Sequence, residues 1–222
     1  AENLGVICTA STGTVHIDLK ETNNSNIKVI SLTVEYGTIR KITSTAEHAF
    51  TLMMASLRNL VEAIDSVREG EWDYEKFIGR QLNQLNVGVV GYGRLGAMFA
   101  NYCRAFGSRV IVYDPYKKVE DTSVEQVDSL DELSCQSDVI SLHIHVTNET
   151  RKIIGARLLQ LAKKDVRLIN TSRGEVVDED AIVEFLKNNT KAKYFTDVIS
   201  GEIHSKTDSP VLNHFKSEEN RN

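Results

Sequence analysis

An α/β fold built on a doubly wound parallel sheet is predicted by three observations along the 222 residues. From Leu85 onward, short runs rich in valine and isoleucine alternate with stretches of helical periodicity, the pattern of parallel strands covered on both faces. The first of these runs leads directly into Gly91-Tyr92-Gly93-Arg94-Leu95-Gly96 and then into a helical segment. The next run ends in a carboxylate, Asp114, eighteen residues past Gly96.

The elements follow in order. Leu4 to Ala10 and Lys28 to Leu32 read as strands, with a short helix and a turn between them in His16 to Asn26. Thr43 to Glu69 reads as one long helix: Ser44 or Thr45 can cap it, and Leu52, Ala55, Leu60 and Ala63 share a face. Glu69 to Asn83 breaks the periodicity and reads as a linker. Then come a strand (Leu85 to Val90), a helix (Arg94 to Phe106, with Gly107 at its C-cap), a strand (Arg109 to Tyr113) and a short helix (Ser129 to Leu133). A strand (Asp138 to Val146), a helix (Ala156 to Ala162), a strand (Val166 to Asn170), a helix (Asp178 to Asn188) and a last strand (Tyr194 to Ile199) complete the alternation.

The glycine turn suits a dinucleotide. Gly91 permits a tight turn, Gly93 removes the side chain that would block a pyrophosphate, and Gly96 lets the helix pack close to the strand. The helix N-terminus then offers unpaired N–H groups to the phosphates. A carboxylate at Asp114 can accept hydrogen bonds from both ribose hydroxyls and repels a 2′-phosphate, which favours NAD over NADP.

Composition narrows the classes. Hydrophobic residues make up 41% and charged residues 26%, and the net charge of −5 speaks against nucleic acid as a partner. Cys8, Cys103 and Cys135 are odd in number, widely spaced and free of any CxxC, so neither a zinc ribbon nor a disulfide framework is expected. His143 and His145 share a strand face, but no third ligand is near in sequence, and no metal is predicted. Ala1-Glu2-Asn3-Leu4 has no basic n-region, and the longest apolar stretch, Phe50 to Leu57, is too short to span a bilayer. The expectation is a cytoplasmic protein with no membrane partner.

With these residues in view, the sequence resembles the D-isomer-specific 2-hydroxyacid dehydrogenases, the family that includes D-3-phosphoglycerate dehydrogenase. The resemblance runs in family order through Ser11-Thr12-Gly13-Thr14, Thr45-Ala46-Glu47-His48, the glycine turn, Ser137-Asp138-Val139, Leu142-His143, Asn148-Glu149-Thr150-Arg151, Asn170-Thr171-Ser172-Arg173-Gly174, Val177-Asp178-Glu179 and Asp197-Val198 with Glu202. It implies a Rossmann-type cofactor domain (residues 85–222), a bridging helix and linker (51–84) and part of a second, flavodoxin-like α/β substrate domain (1–50). It also implies an NAD-dependent oxidoreductase that passes hydride between the cofactor and a small 2-hydroxy or 2-oxo acid. Arg173 matches the family's catalytic arginine; its guanidinium can fork onto the substrate's carboxylate and carbonyl oxygens. Glu202 matches the glutamate that orients the catalytic histidine. Gly91, Gly93, Arg94, Leu95, Gly96, Asp114, His143, Thr171, Ser172, Arg173, Asp197 and Thr45 match cofactor-side positions, and Thr12 and Gly13 match the loop that takes the substrate carboxylate. A homodimer through the bridging helix is the family's implication.

The sequence departs from the pattern in places. Val15 stands where the family often has Asp, and His145 where it often has Pro. The Pro-His pair that carries the family's acid/base does not occur in the 222 residues, and His214 does not match it. The family's first stretch and its C-terminal helix are also unmatched, the reading of a chain cut at both ends. Two alternatives stay open: a non-catalytic NAD(H)-binding sensor or corepressor-like protein, or an inactive remnant lacking the catalytic histidine, and a Rossmann-type dehydrogenase of another family. The latter leaves Asn170 to Gly174, Asp197 and Glu202 without an account.

Overall fold

The computed structural model describes residues 4–14, 16–202 and 208–217, so Val15 lies outside the described residues. The chain divides into two compact units, Ala1–Thr43 and Ser44–Asn222. The smaller unit is a βαβ crossover. Strands β1 (Val6–Thr9) and β2 (Lys28–Ser31) pair in parallel with Val6 opposite Lys28, and helix α1 (Leu19–Asn24) connects them. Asp18 caps α1 by accepting the backbone N–H groups of Lys20 and Glu21, each at 3.0 Å. One further turn of helix, α2 (Tyr36–Ile39), follows.

The larger unit begins with α3 (Ser44–Leu57) and α4 (Leu60–Arg68). These replace the single helix expected over 43–69. Asn59, in the left-handed region at φ 50°, breaks it. The break is held from outside the helix: Arg80 N–H donates to the Leu57 carbonyl at 3.0 Å, and Lys193 Nζ donates to Asn59 Oδ1 at 3.0 Å. Lys193 also pairs with Glu62.

The rest is the predicted alternation with two elements the sequence reading did not contain, strand β5 and helix α9: β3 (Asn86–Val90), α5 (Arg94–Ala105), β4 (Arg109–Tyr113), β5 (Glu125–Gln126), α6 (Leu130–Gln136), β6 (Val139–Leu142), α7 (Ala156–Leu161), β7 (Arg167–Asn170), α8 (Glu179–Asn188), β8 (Lys193–Thr196) and α9 (Pro210–Lys216). All six strands are parallel, in the order β5-β4-β3-β6-β7-β8. This is the doubly wound, Rossmann-type order, with its switch point between β3 and β6. Strand residues alternate between two cores, as the period of two requires. Val87, Val89, Val110, Val112 and Ile169 pack with Met53, Leu57 and Phe99 of α3 and α5. Val90, Ile111, Ile140, Leu142 and Leu168 pack with Leu133, Leu158 and Ile182 of α6 to α8.

Two strands of this sheet end earlier at their carboxyl ends than the sequence suggests. β6 stops at Leu142 rather than Val146 because its partner β3 stops at Val90, and β8 stops at Thr196 opposite Asn170, the end of β7. The backbone released beyond each strand end forms loops at the carboxyl edge of the sheet. Among the described residues, no helix is long and apolar enough to cross a membrane.

Candidate functional site

The carboxyl ends of the parallel strands gather most of the predicted residues at one edge of the larger unit. Gly91 follows β3, Asp114 follows β4, His143 follows β6, Thr171 to Arg173 follow β7, and Asp197 and Glu202 follow β8. That edge is where open α/β sheets bind ligands.

The glycine turn shows why each glycine is there. Gly91 has φ +87°, and a Cβ on it would lie 2.7 Å from the His143 carbonyl oxygen. On Gly96 a Cβ would lie 2.0 Å from the Gly91 carbonyl oxygen, so α5 could not sit this close to β3. On Gly93 a Cβ would meet nothing within 4 Å. Gly93 is thus not demanded by the protein's own packing. Its missing side chain leaves open the space in front of α5, whose N-cap makes no side-chain hydrogen bond to the first-turn N–H groups. Arg94 and Leu95 form the first turn of α5. A cradle of this shape fits a pyrophosphate.

Asp114 is set in place by the backbone around it. Its Oδ2 accepts Tyr92 N–H at 2.9 Å and its Oδ1 accepts Tyr116 N–H at 3.0 Å. Gly91, Gly93, Asp114 and His143 line one cavity of about 620 Å³. Its size suits a nucleoside and a diphosphate. His143 stacks its ring 5.0 Å from that of Phe99 and lies 2.9 Å from Ser141 Oγ through Nε2. Burial pushes its pKa down to about 4, so the imidazole is neutral near pH 7.

The loop after β7 is organised by Asn170, which is fully buried. Its Oδ1 accepts both Ser172 N–H (3.0 Å) and Ser172 Oγ–H (2.7 Å), and its Nδ2 donates to the Arg173 carbonyl (2.9 Å). Gly174 lets this loop lie on the next one: a Cβ there would be 2.0 Å from the Ile199 carbonyl carbon. Buried Thr171 Oγ1 has no hydrogen-bond partner among the described residues, a donor left for a ligand. Arg173 Nη1 donates to the Ser172 carbonyl at 2.6 Å. Glu202 Oε2 accepts Ile199 N–H at 3.4 Å.

Asp197 lies 3.4 Å from His48 Nε2, which ties the first turns of α3 to the loop after β8; Thr45 is one turn earlier on that helix. Arg173, Asp197, Glu202, Thr171 and Ser172 do not line the 620 Å³ cavity; they occupy the neighbouring loops of the same edge. In the smaller unit, Gly13 N–H donates to Ser11 Oγ at 3.1 Å, and Thr12 precedes it in the turn after β1. Reading by motif passed over two residues that the structure brings in, Asn170 and His48. Both stood inside matched motifs, and their signal was position alone: a polar residue at a strand end before Ser-Arg-Gly, and a histidine one turn past Thr45. Among the described residues, no group of three or more His, Cys, Asp or Glu is placed to hold a metal ion.

Residues 50–217 match the family described as D-isomer specific 2-hydroxyacid dehydrogenase, NAD binding domain. D-3-phosphoglycerate dehydrogenase of Methanocaldococcus jannaschii is 37% identical over 215 residues, 96% of this chain and 40% of its own length. Hydroxypyruvate reductase of Thermotoga maritima is 34% identical over 204 residues, 92% of this chain and 61% of its own length. The chain therefore spans less than two thirds of either relative. Among solved structures, D-lactate dehydrogenase from Aquifex aeolicus, complexed with NAD and lactic acid, superposes with a TM-score of 0.81 at 35% identity, over 96% of this chain and 66% of that one. NAD-dependent formate dehydrogenase from Staphylococcus aureus, in complex with NAD, does so with a TM-score of 0.81 at 32% identity, over 95% and 62%. With the glycine turn, the Asp114 carboxylate and the Asn170-held loop on one sheet edge, the chain belongs to the D-isomer-specific 2-hydroxyacid dehydrogenase family and carries its NAD-binding domain.

Proposed function

We propose that this chain is the cofactor-binding part, with a portion of the substrate domain, of an NAD-dependent oxidoreductase that interconverts a small D-2-hydroxy acid and a 2-oxo acid, phosphoglycerate dehydrogenase-like. The observation that carries the reading is the convergence of the glycine cradle, Asp114 and the Arg173 loop at the carboxyl edge of one parallel sheet. The unit ending at Thr43 supplies the substrate-domain portion, with Thr12 and Gly13 toward the substrate carboxylate. Gly91, Gly93, Arg94, Leu95 and Gly96 hold the pyrophosphate, and Asp114 takes the ribose hydroxyls. Neutral His143, Thr45, Thr171, Ser172 and Asp197 flank the cofactor. NAD(H), when bound, supplies or accepts the hydride. Arg173 binds the substrate and offsets negative charge developing on its oxygen, and Glu202 orients an imidazole acid/base.

The partner set in this reading is a small 2-hydroxy or 2-oxo acid and a second copy of the chain, without nucleic acid or membrane. Apolar side chains exposed on α4 and the segment after it, Val61, Ile64, Val67, Ile78 and Trp72 (87% exposed), support the dimer. Three free thiols, Cys8, Cys103 and Cys135, support the reducing cytoplasm.

The test is NADH oxidation with small 2-oxo acids, on the chain and on the full reading frame that contains it. Arg173→Lys is expected to lose most of kcat/KM while NADH still binds, because an ammonium cannot replace the two-pronged guanidinium. A near-wild-type kcat/KM removes Arg173 from the reaction. NADH binding without turnover by any 2-oxo acid favours a sensor.

A further inference from the structure

The cavity that holds the ribose carboxylate has a second acidic wall. Asp114 enters it from the end of β4 and Glu149 from the loop that follows β6, and both line it. Tyr116 joins them. Its backbone N–H donates to Asp114 Oδ1 at 3.0 Å and its phenol hydroxyl donates to Glu149 Oε2. The Glu149 bond holds the phenol pKa above its ordinary value, so the hydroxyl stays a donor. Of the two lysines in the same segment, Lys117 is turned toward the glycine turn: its Nζ donates to the Tyr92 carbonyl at 3.2 Å and stands 5.4 Å over the Tyr92 ring. Lys152, on the Glu149 side, pairs with Asp178 at 3.4 Å. Two carboxylates thus line one cavity.

We infer that Glu149 is a second cofactor-selecting residue, acting with Asp114 to reject a dinucleotide that carries a 2′-phosphate. The inference rests on the NAD-binding reading above. A phosphomonoester dianion placed in this end of the cavity meets both carboxylates, whereas the uncharged ribose hydroxyls of NAD meet two acceptors. Tyr116 is the positioning residue that keeps the two carboxylates in one arrangement.

The test separates charge from shape. Glu149→Gln keeps an acceptor for the Tyr116 hydroxyl and removes the charge; Glu149→Asp keeps the charge. Dissociation constants for NADH and NADPH are measured by calorimetric titration of the chain at low ionic strength. In Glu149→Gln, NADPH is expected to tighten about three- to tenfold and NADH to change by less than about twofold, with the gain shrinking at high salt because the group is near the surface. Glu149→Asp is expected to keep the wild-type preference. An unchanged NADPH-to-NADH ratio in Glu149→Gln, or an equal loosening of both cofactors, overturns the inference while leaving the NAD reading standing. Wild-type protein that binds neither cofactor overturns both.

Discussion

Gly93 and Gly96 are three residues apart in one motif, yet the structure gives them opposite physical reasons to be glycine, and paired alanine variants separate the two. At Gly96 the added methyl lies 2.0 Å from the backbone oxygen of Gly91. Backbone cannot swing aside as a side chain can, so α5 must withdraw from β3 by roughly 1 Å or more, at a cost of about 1–3 kcal/mol. For a unit the size of Ser44–Asn222 this lowers Tm by roughly 2–12 °C. At Gly93 the methyl meets nothing within 4 Å, and the backbone sits at φ −76°, open to any residue. Gly93→Ala is therefore expected to leave stability within about 0.5 kcal/mol of wild type. In the proposed NAD reading the same methyl occupies the space in front of α5 that a pyrophosphate would take, so NADH affinity is expected to fall at least about tenfold, ~1.4 kcal/mol. Thermal unfolding followed by circular dichroism and calorimetric NADH titration read the two effects separately. The reasoning is refuted by a Gly93→Ala protein that binds NADH as wild type does, or that unfolds as early as Gly96→Ala.

Two further predictions concern stability. Lys193, 8% exposed, pairs with Glu62 at the helix break, so Lys193→Met strands that carboxylate and is expected to cost about 2–4 kcal/mol in urea denaturation. Replacing Glu62 by Leu in the same chain should recover part of that, and a loss below about 0.5 kcal/mol in the single variant would show the pair to be idle. His143 titrates at about 4 in the folded chain against 6.5 ordinarily. The unfolded chain takes up that proton first as pH falls, so the contribution is intact above pH 6.5 and is lost between 6.5 and about 4. Urea midpoints at pH 7 and pH 5 should differ less in His143→Gln than in wild type; equal differences would count against it.

Much of the site was legible because its constraints are local. A glycine between strand and helix, a carboxylate at the next strand end and an Arg-Gly turn after a fourth strand all act within a few residues of their own position. Helix α9 also carried a local signal, Ser209 accepting Leu212 N–H with Pro210 at the first helical position, and it was passed over. The break at Asn59 carried none that could be read: 43–69 has helical periodicity throughout, and the partners that end it, Arg80 and Lys193, come from elsewhere in the chain. The ends of β6 and β8 were likewise invisible, since a strand stops where its neighbour stops pairing and not where its own apolar run ends.

The sequence by itself determined the parallel α/β architecture, the glycine turn between β3 and α5 and the carboxylate at the end of β4, because periodicity and glycine sterics are properties of short segments. Tertiary structure alone decided which of the three glycines makes room for a ligand and which two make room for the protein. It alone drew His48 to Asp197 and brought Glu149 to the Tyr116 that also holds Asp114. Each of these is a contact between strand ends or helices distant in sequence, and such contacts exist only once the sheet has brought its edges together.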